Sequence, residues 1–169
     1  EAALWNFSKG TLATEVLQAM GLPVDKIPEI VPNFGFQATV HPDVASQLGL
    51  SSDVKITYRG GDQPNNAMSL NVLKPGEIAT TAGTSAVIYA VSDKDIYDKQ
   101  NRINTFSHVN NTATSKHNGV MLCINGSGIL YQWLRKIMSI DREELIAYET
   151  LNAAAAKVAA GSEGLRFYP

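Results

Sequence analysis

The chain has 169 residues, 44% apolar and 18% charged, with a net charge of −2. That length and apolar content supply a core for one ordinary domain or two small ones, and without a polybasic run neither nucleic acid nor an anionic membrane has electrostatic support as a partner. The single cysteine, Cys123, excludes an internal disulfide and fits a reducing, cytoplasmic compartment, and no apolar stretch approaches the roughly 18 residues of a membrane span.

In chain order, Thr11 to Met20 carries Leu12, Val16, Leu17 and Met20 at helical spacing, with Gly21 and Pro23 as the stop signal. Phe36 to Val40 is predicted as a short strand. His41-Pro42-Asp43 then leads into a brief helix, Val44 to Leu48, closed by Gly49. A strand from Val54 to Arg59 feeds Gly60-Gly61, and a helix follows from about Pro64 to Leu73. Pro75-Gly76 is a turn and the expected domain boundary, dividing the chain into 1–75 and 76–169. Beyond it lie β-rich runs at 78–82 and 84–91, a polar stretch with a strand near Ile103 to Val109, and a buried strand from Val120 to Ile124. Cys123 falls in that strand and is expected to be buried as a small hydrophobe.

Gly126-Ser127-Gly128 opens a helix whose apolar face is Ile129, Leu130, Trp133, Leu134, Ile137 and Met138. Asp141 and Glu144, at capping-box spacing, predict a last helix running to Gly161. Trp5 and Trp133 are expected in the core. The ends, an apolar Ala2-Ala3-Leu4-Trp5 after Glu1 and a strand-like Leu165 to Tyr168 before Pro169, are expected of a segment from something longer. Strand–helix alternation before residue 75, and hairpin-like strands followed by helices after it, make the class α/β.

Three places can carry chemistry. Asp62 follows Gly60-Gly61 at the end of a strand, where open α/β sheets bind ligands. A carboxylate there can take a proton from a hydroxyl, although Asp before a helix also reads as a capping residue. Pro64 favours the first helical position, which makes Gln63 the expected cap and leaves Asp62 one residue outside. The second place is Gly83-Thr84-Ser85 between two strands. On pattern alone such a step is more often a plain hairpin turn, and its other reading is a phosphate cradle of backbone N–H groups and hydroxyls. The third is the Gly126-Ser127-Gly128 helix, in which Gly128 and Gln132 share the polar face. It lacks the third glycine of a dinucleotide fingerprint, and the chain contains no Gly-Lys-Ser/Thr loop. His41, His108 and His117 stand without cysteines or carboxylates at ligand spacing, so no metal site is expected from them.

Taken together, Gly61-Asp62-Gln63-Pro64-Asn65-Asn66-Ala67, Gly83-Thr84-Ser85 and Gly128-Ile129-Leu130-Tyr131-Gln132-Trp133-Leu134 resemble the FGGY carbohydrate kinases, most of all their xylulokinase branch. The resemblance covers nearly the whole chain, as the end of an N-terminal and the first part of a C-terminal domain. It implies partial RNase H-like, actin-type ATPase domains and ATP-dependent phosphorylation of a ketose or polyol, with xylulose as first choice. It implies Asp62 as the catalytic base and Asp62 with Gln63 at the substrate. Gly83, Thr84 and Ser85 would lie on the ATP phosphates and Gly128 with Gln132 along the nucleotide, with Mg²⁺ held mainly through the phosphates. His108, in Phe106-Ser107-His108-Val109, matches a family strand and is expected to be structural.

The family's N-terminal phosphate loop, upstream sugar-binding residues and late adenosine segment have no counterpart here, so the segment alone is expected to be inactive. The resemblance leaves room for a homodimer. Ribulose, glycerol or another polyol remains an alternative substrate. A non-catalytic actin-like assembly domain remains a different kind of answer, in which Asp62 would have no sugar hydroxyl to serve.

Overall fold

A computed structural model describes residues 4–167. Ala2, Ala3, Tyr168 and Pro169, which the sequence reading placed in apolar or strand-like ends, lie outside the described residues.

Two compact units divide the chain, Glu1–Ala79 with Tyr89–Met121, and Thr80–Ile88 with Leu122–Pro169. In the first, β1 (Trp5–Asn6) pairs antiparallel with β2 (Thr11–Leu12), and α1 spans Thr14–Ala19. The predicted helix therefore loses its first residues to a strand. Thr11, which is β-branched, and Leu12 take ladder bonds opposite Asn6 and Trp5, and Ala13 donates to the Leu4 carbonyl at 2.6 Å. Leu17 is the residue that α1 buries completely, a contribution of about 1.5–3 kcal/mol.

β3 (Phe34–Thr39) pairs antiparallel with β4 (Lys55–Tyr58), with a bulge between Phe34 and Ala38, and the Phe34 and Tyr58 rings stack at 4.9 Å. Between them lies α2 (Pro42–Gln47), started by Pro42 at the first helical position and by His41, whose ring nitrogen accepts the Asp43 N–H. α3 (Asp62–Ser69) follows β4, and it buries Pro64 and Ala67.

β5 (Ile78–Ala82), β6 (Ala86–Ser92), β7 (Asn104–Ser107) and β8 (Asn118–Ile124) form one sheet in the order β5-β6-β8-β7. β7 runs antiparallel to β8, with Phe106 opposite Gly119 and Asn104 opposite Met121. Cys123 is exposed, against the sequence expectation of burial, because β8 passes from buried residues at Asn118 and Gly119 to exposed ones at its last two positions.

In the second unit, α4 spans Ser127–Ile137 and α5 spans Tyr148–Ala155. The predicted face of α4 exists but is not a core. Ile129, Trp133, Leu134, Ile137 and Met138 are all exposed, which corrects the placing of Trp133 inside. The last helix begins later than the capping-box spacing predicts. Ser139 Oγ accepts the Ile146 N–H at 3.0 Å and Arg135 Nε donates to the Ile146 carbonyl at 2.6 Å. These bonds tie Ile146 to the end of α4 just before the cap at Ala147, and Asp141 to Glu144 form a turn and bends outside α5. Leu165 to Phe167 form no strand. They follow a 3₁₀ turn at Ser162–Gly164, and Phe167 packs its ring 5.4 Å from that of Trp133.

Candidate active site

α3 starts two residues earlier than Pro64 suggests. Gly61 is the cap, with extended φ −66° and ψ 157°, and its carbonyl accepts the Asn65 N–H at 3.0 Å. Asp62, Gln63 and Pro64 fill the first helical positions, whose N–H groups need no partner inside the helix, so the proline is tolerated at the third. Asp62 therefore lies inside the helix, where its carboxylate meets the positive end of the peptide dipoles. Its Oδ1 accepts the Gln63 N–H at 2.7 Å. Asn65, one turn on, accepts the Tyr58 hydroxyl at 2.9 Å and ties the helix to β4.

Asp62, Gln63 and Pro64 line a recess of about 330 Å³ together with Phe106 and Met121. Sequence reasoning missed the last two. Their signal lay in the β7–β8 register, where Phe106 faces Gly119 and Met121 faces Asn104, so both side chains leave one face of the sheet. The pairing of those strands could not be read from either strand alone.

In the second unit the structure brings the Gly83 turn and the start of α4 together. Gly83 to Ser85 is the bend joining β5 to β6, closed by the Gly83 N–H on the Ser85 carbonyl at 3.0 Å. A Cβ on Gly83 would meet nothing nearer than that same oxygen at 3.9 Å, so the turn itself does not require glycine there. Gly128 is different. A Cβ on it would lie 1.9 Å from the Gly83 carbonyl oxygen, so glycine is what admits the turn onto the helix. The Ile129 N–H reaches the Thr84 carbonyl at 3.4 Å. Thr84 is exposed and Ser85 half-buried, and Gln132 is exposed one turn further along α4. Ser127, at the first position of α4, buries its hydroxyl oxygen without a hydrogen-bond partner among the described residues.

No family model matches the chain. Over 161 residues, 92% of the chain, it is 29% identical to a gluconokinase of Bacillus subtilis, covering 30% of that protein. It is 28% identical over 146 residues, 86% of the chain, to a xylulose kinase of Staphylococcus epidermidis and covers 28% of it. The chain is homologous to the FGGY carbohydrate kinases. It spans about 30% of the length of the curated relatives it matches. The structure superposes on a xylulose kinase from Rhodospirillum rubrum with TM-score 0.76 at 22% identity, over 94% of this chain and 31% of that one. The fold is thus that of the FGGY kinases, the actin-like ATPase fold, present in part.

Proposed function

We propose that the polypeptide carrying this chain is an ATP-dependent carbohydrate kinase and that Asp62 is its catalytic base. The observation that carries the reading is Asp62 in the first turn of α3, lining the recess with Gln63, Phe106 and Met121. The Asp62 carboxylate takes the proton of a sugar or polyol hydroxyl as that oxygen forms its bond to the terminal phosphorus of ATP and the bond to the leaving ADP oxygen breaks. Gln63 orients the hydroxyl, and Phe106 and Met121 offer apolar surface to the carbon-bound hydrogens of the substrate.

The Thr84 hydroxyl and the exposed backbone of the Gly83-Thr84-Ser85 turn suit phosphate oxygens. The orphaned Ser127 hydroxyl at the start of α4 is a donor that an anionic group satisfies. Gly128 serves this arrangement by letting the turn close on the helix, and Gln132 flanks the nucleotide. Mg²⁺ would supply charge neutralisation, held by nucleotide phosphates. No group of three His, Cys, Asp or Glu that could cage an ion lies among the described residues.

The named relatives make xylulose, gluconate and glycerol the first substrates to test, with xylulose ahead on the sequence resemblance. The experiment is ADP release by the complete polypeptide with each of these and with ribulose. Sugar-dependent release that Asp62→Ala abolishes supports the reading. Nucleotide-driven assembly without sugar-dependent release supports the actin-like alternative and removes this one. Residues 1–169 alone should show neither sugar phosphorylation nor tight ATP binding.

A further inference from the structure

His108 has no part in the chemistry above, yet it is completely buried. Its Nε2 lies 3.1 Å from the Val72 carbonyl oxygen and its Nδ1 2.9 Å from the Tyr89 hydroxyl. A carbonyl only accepts, so Nε2 carries the proton, and Nδ1 then accepts from Tyr89. Tyr89 reaches that place over Gly119, where a Cβ would lie 1.8 Å from the phenol oxygen.

The neighbouring residues make further bonds of the same kind. Asn110 Nδ2 donates to the Leu73 carbonyl at 3.0 Å, and Asn33 Nδ2 donates to the Val109 carbonyl at 3.0 Å. Val72 and Leu73 are the exit of α3. Val109 stands near its entry, with Cγ1 3.5 Å from where a Cβ on Gly60 would be. His108 and Asn110 thus bond the exit of the segment that carries Asp62, and Val109 between them stands beside its entry.

We propose that His108 is a positioning residue for Asp62, acting through its Nε2–H bond to the Val72 carbonyl to fix the tilt of α3. The inference rests on the reading of Asp62 as base. An eight-residue helix is about 12 Å long, so a tilt of about 5° at its exit moves its first residue by about 1 Å. A displacement of that size can cost about 10²-fold in rate while leaving nucleotide binding alone.

The test compares His108→Gln with His108→Asn in the complete polypeptide. A glutamine amide reaches the position of Nε2 and can still donate to Val72. An asparagine amide stops near Nδ1 and can bond only Tyr89. Both are polar and uncharged, and Tm measurements show whether they are equally folded. The glutamine variant should keep kcat within about threefold of the parent. The asparagine variant should lose at least about tenfold in kcat with ATP Kd unchanged. Equal kcat in the two, or a loss confined to Tm, overturns the proposal. If either variant fails to fold, His108→Met, which keeps much of the volume but has no donor for the Val72 carbonyl, must lower kcat without changing ATP Kd, and an unchanged kcat overturns the proposal equally. Asp62→Ala run alongside separates the two ideas. If it keeps more than about a tenth of kcat, the base assignment fails; if it is inactive while Gln and Asn behave alike, only the positioning role fails.

Discussion

The two units differ in what holds each of them together internally. Around Asp62 the connections are directional and polar. Tyr58 bonds Asn65, His108 and Asn110 bond the α3 exit, and Glu77 accepts the Leu73 and Lys74 N–H groups at 2.7 and 2.8 Å. Around the Gly83 turn the decisive contact is steric, a carbonyl pressed where Gly128 has no side chain. The apolar face of α4 remains exposed. Hydrogen bonds fix angles, whereas close backbone contact fixes distance and leaves a helix free to carry unburied apolar surface. Substitutions in the first unit should therefore act on the geometry of catalysis, and those in the second on nucleotide contact and stability.

The largest effect should come from Asp62→Ala. Loss of a general base costs about 10²–10⁴ in rate, and ATP affinity, which the reading assigns to the other unit, should stay within about twofold. Steady-state kinetics and calorimetry on the complete polypeptide check both numbers. A joint loss of kcat and ATP binding would break the division of labour between the units.

Thr84→Val is the matching test in the second unit. It keeps the branched shape and removes the hydroxyl, at about 1.5–3 kcal/mol for a bond to a charged phosphate. ATP Kd should rise by about 10- to 150-fold in a folded protein. Unchanged Kd and kcat/KM would reduce Gly83-Thr84-Ser85 to a turn with no ligand.

How much of this was legible in the sequence follows the same division. The strands β4, β5 and β8 and the glycine-opened start of α4 were legible because each is signalled within its own few residues. The homology to FGGY kinases was legible in Asp62-Gln63, the Gly83 turn and Gly128 to Leu134. What escaped depends on distant partners. Thr11-Leu12 is a strand only because Trp5-Asn6 is there to pair with it. Asp141 and Glu144 start no helix because Ser139 and Arg135 have already claimed Ile146. Phe106 and Met121 reach the recess only through the β7–β8 register. The helical spacing of α4 gave its apolar face correctly, but spacing carries no information about whether anything covers that face.

Gly128→Ala tests whether the second unit depends on contact distance. The added methyl would meet the Gly83 carbonyl oxygen at 1.9 Å, which is backbone and cannot swing away. Overpacking of this kind costs about 1–3 kcal/mol, partly offset by the better helix propensity of alanine, up to about 1 kcal/mol. Denaturant unfolding should show a net loss, and ATP affinity should fall with it as the turn is displaced. A variant as stable as the parent would show that the turn has room to retreat and that the contact is incidental.

The smallest effect tests the polar unit through pH. Burial first, and the charge of His117 second, push the His108 pKa below its ordinary 6.5, while the bond to Val72 pulls the other way. Burial also pushes the Tyr89 phenol well above its ordinary range, so Tyr89 remains a neutral partner throughout. Because the folded state resists the proton that the unfolded chain accepts, the unfolded state binds more protons just below pH 6.5. The contribution of His108 is therefore complete above that value and declines as pH falls, by at most about 1.4 kcal/mol per pH unit. The carboxylates with lowered pKa, Glu15, Asp53, Glu77, Asp95 and Asp98, start from 4.5 or 3.8 and lose their contributions further into acid. Between pH 7.5 and 5.5 the denaturant midpoint of the parent should thus fall more than that of His108→Gln, whose side chain does not titrate. Parallel slopes would mean that the imidazole is protonated as readily in the folded protein as in the unfolded chain, with the Tyr89 hydroxyl turned to accept from Nδ1 while Nε2 keeps its bond to Val72.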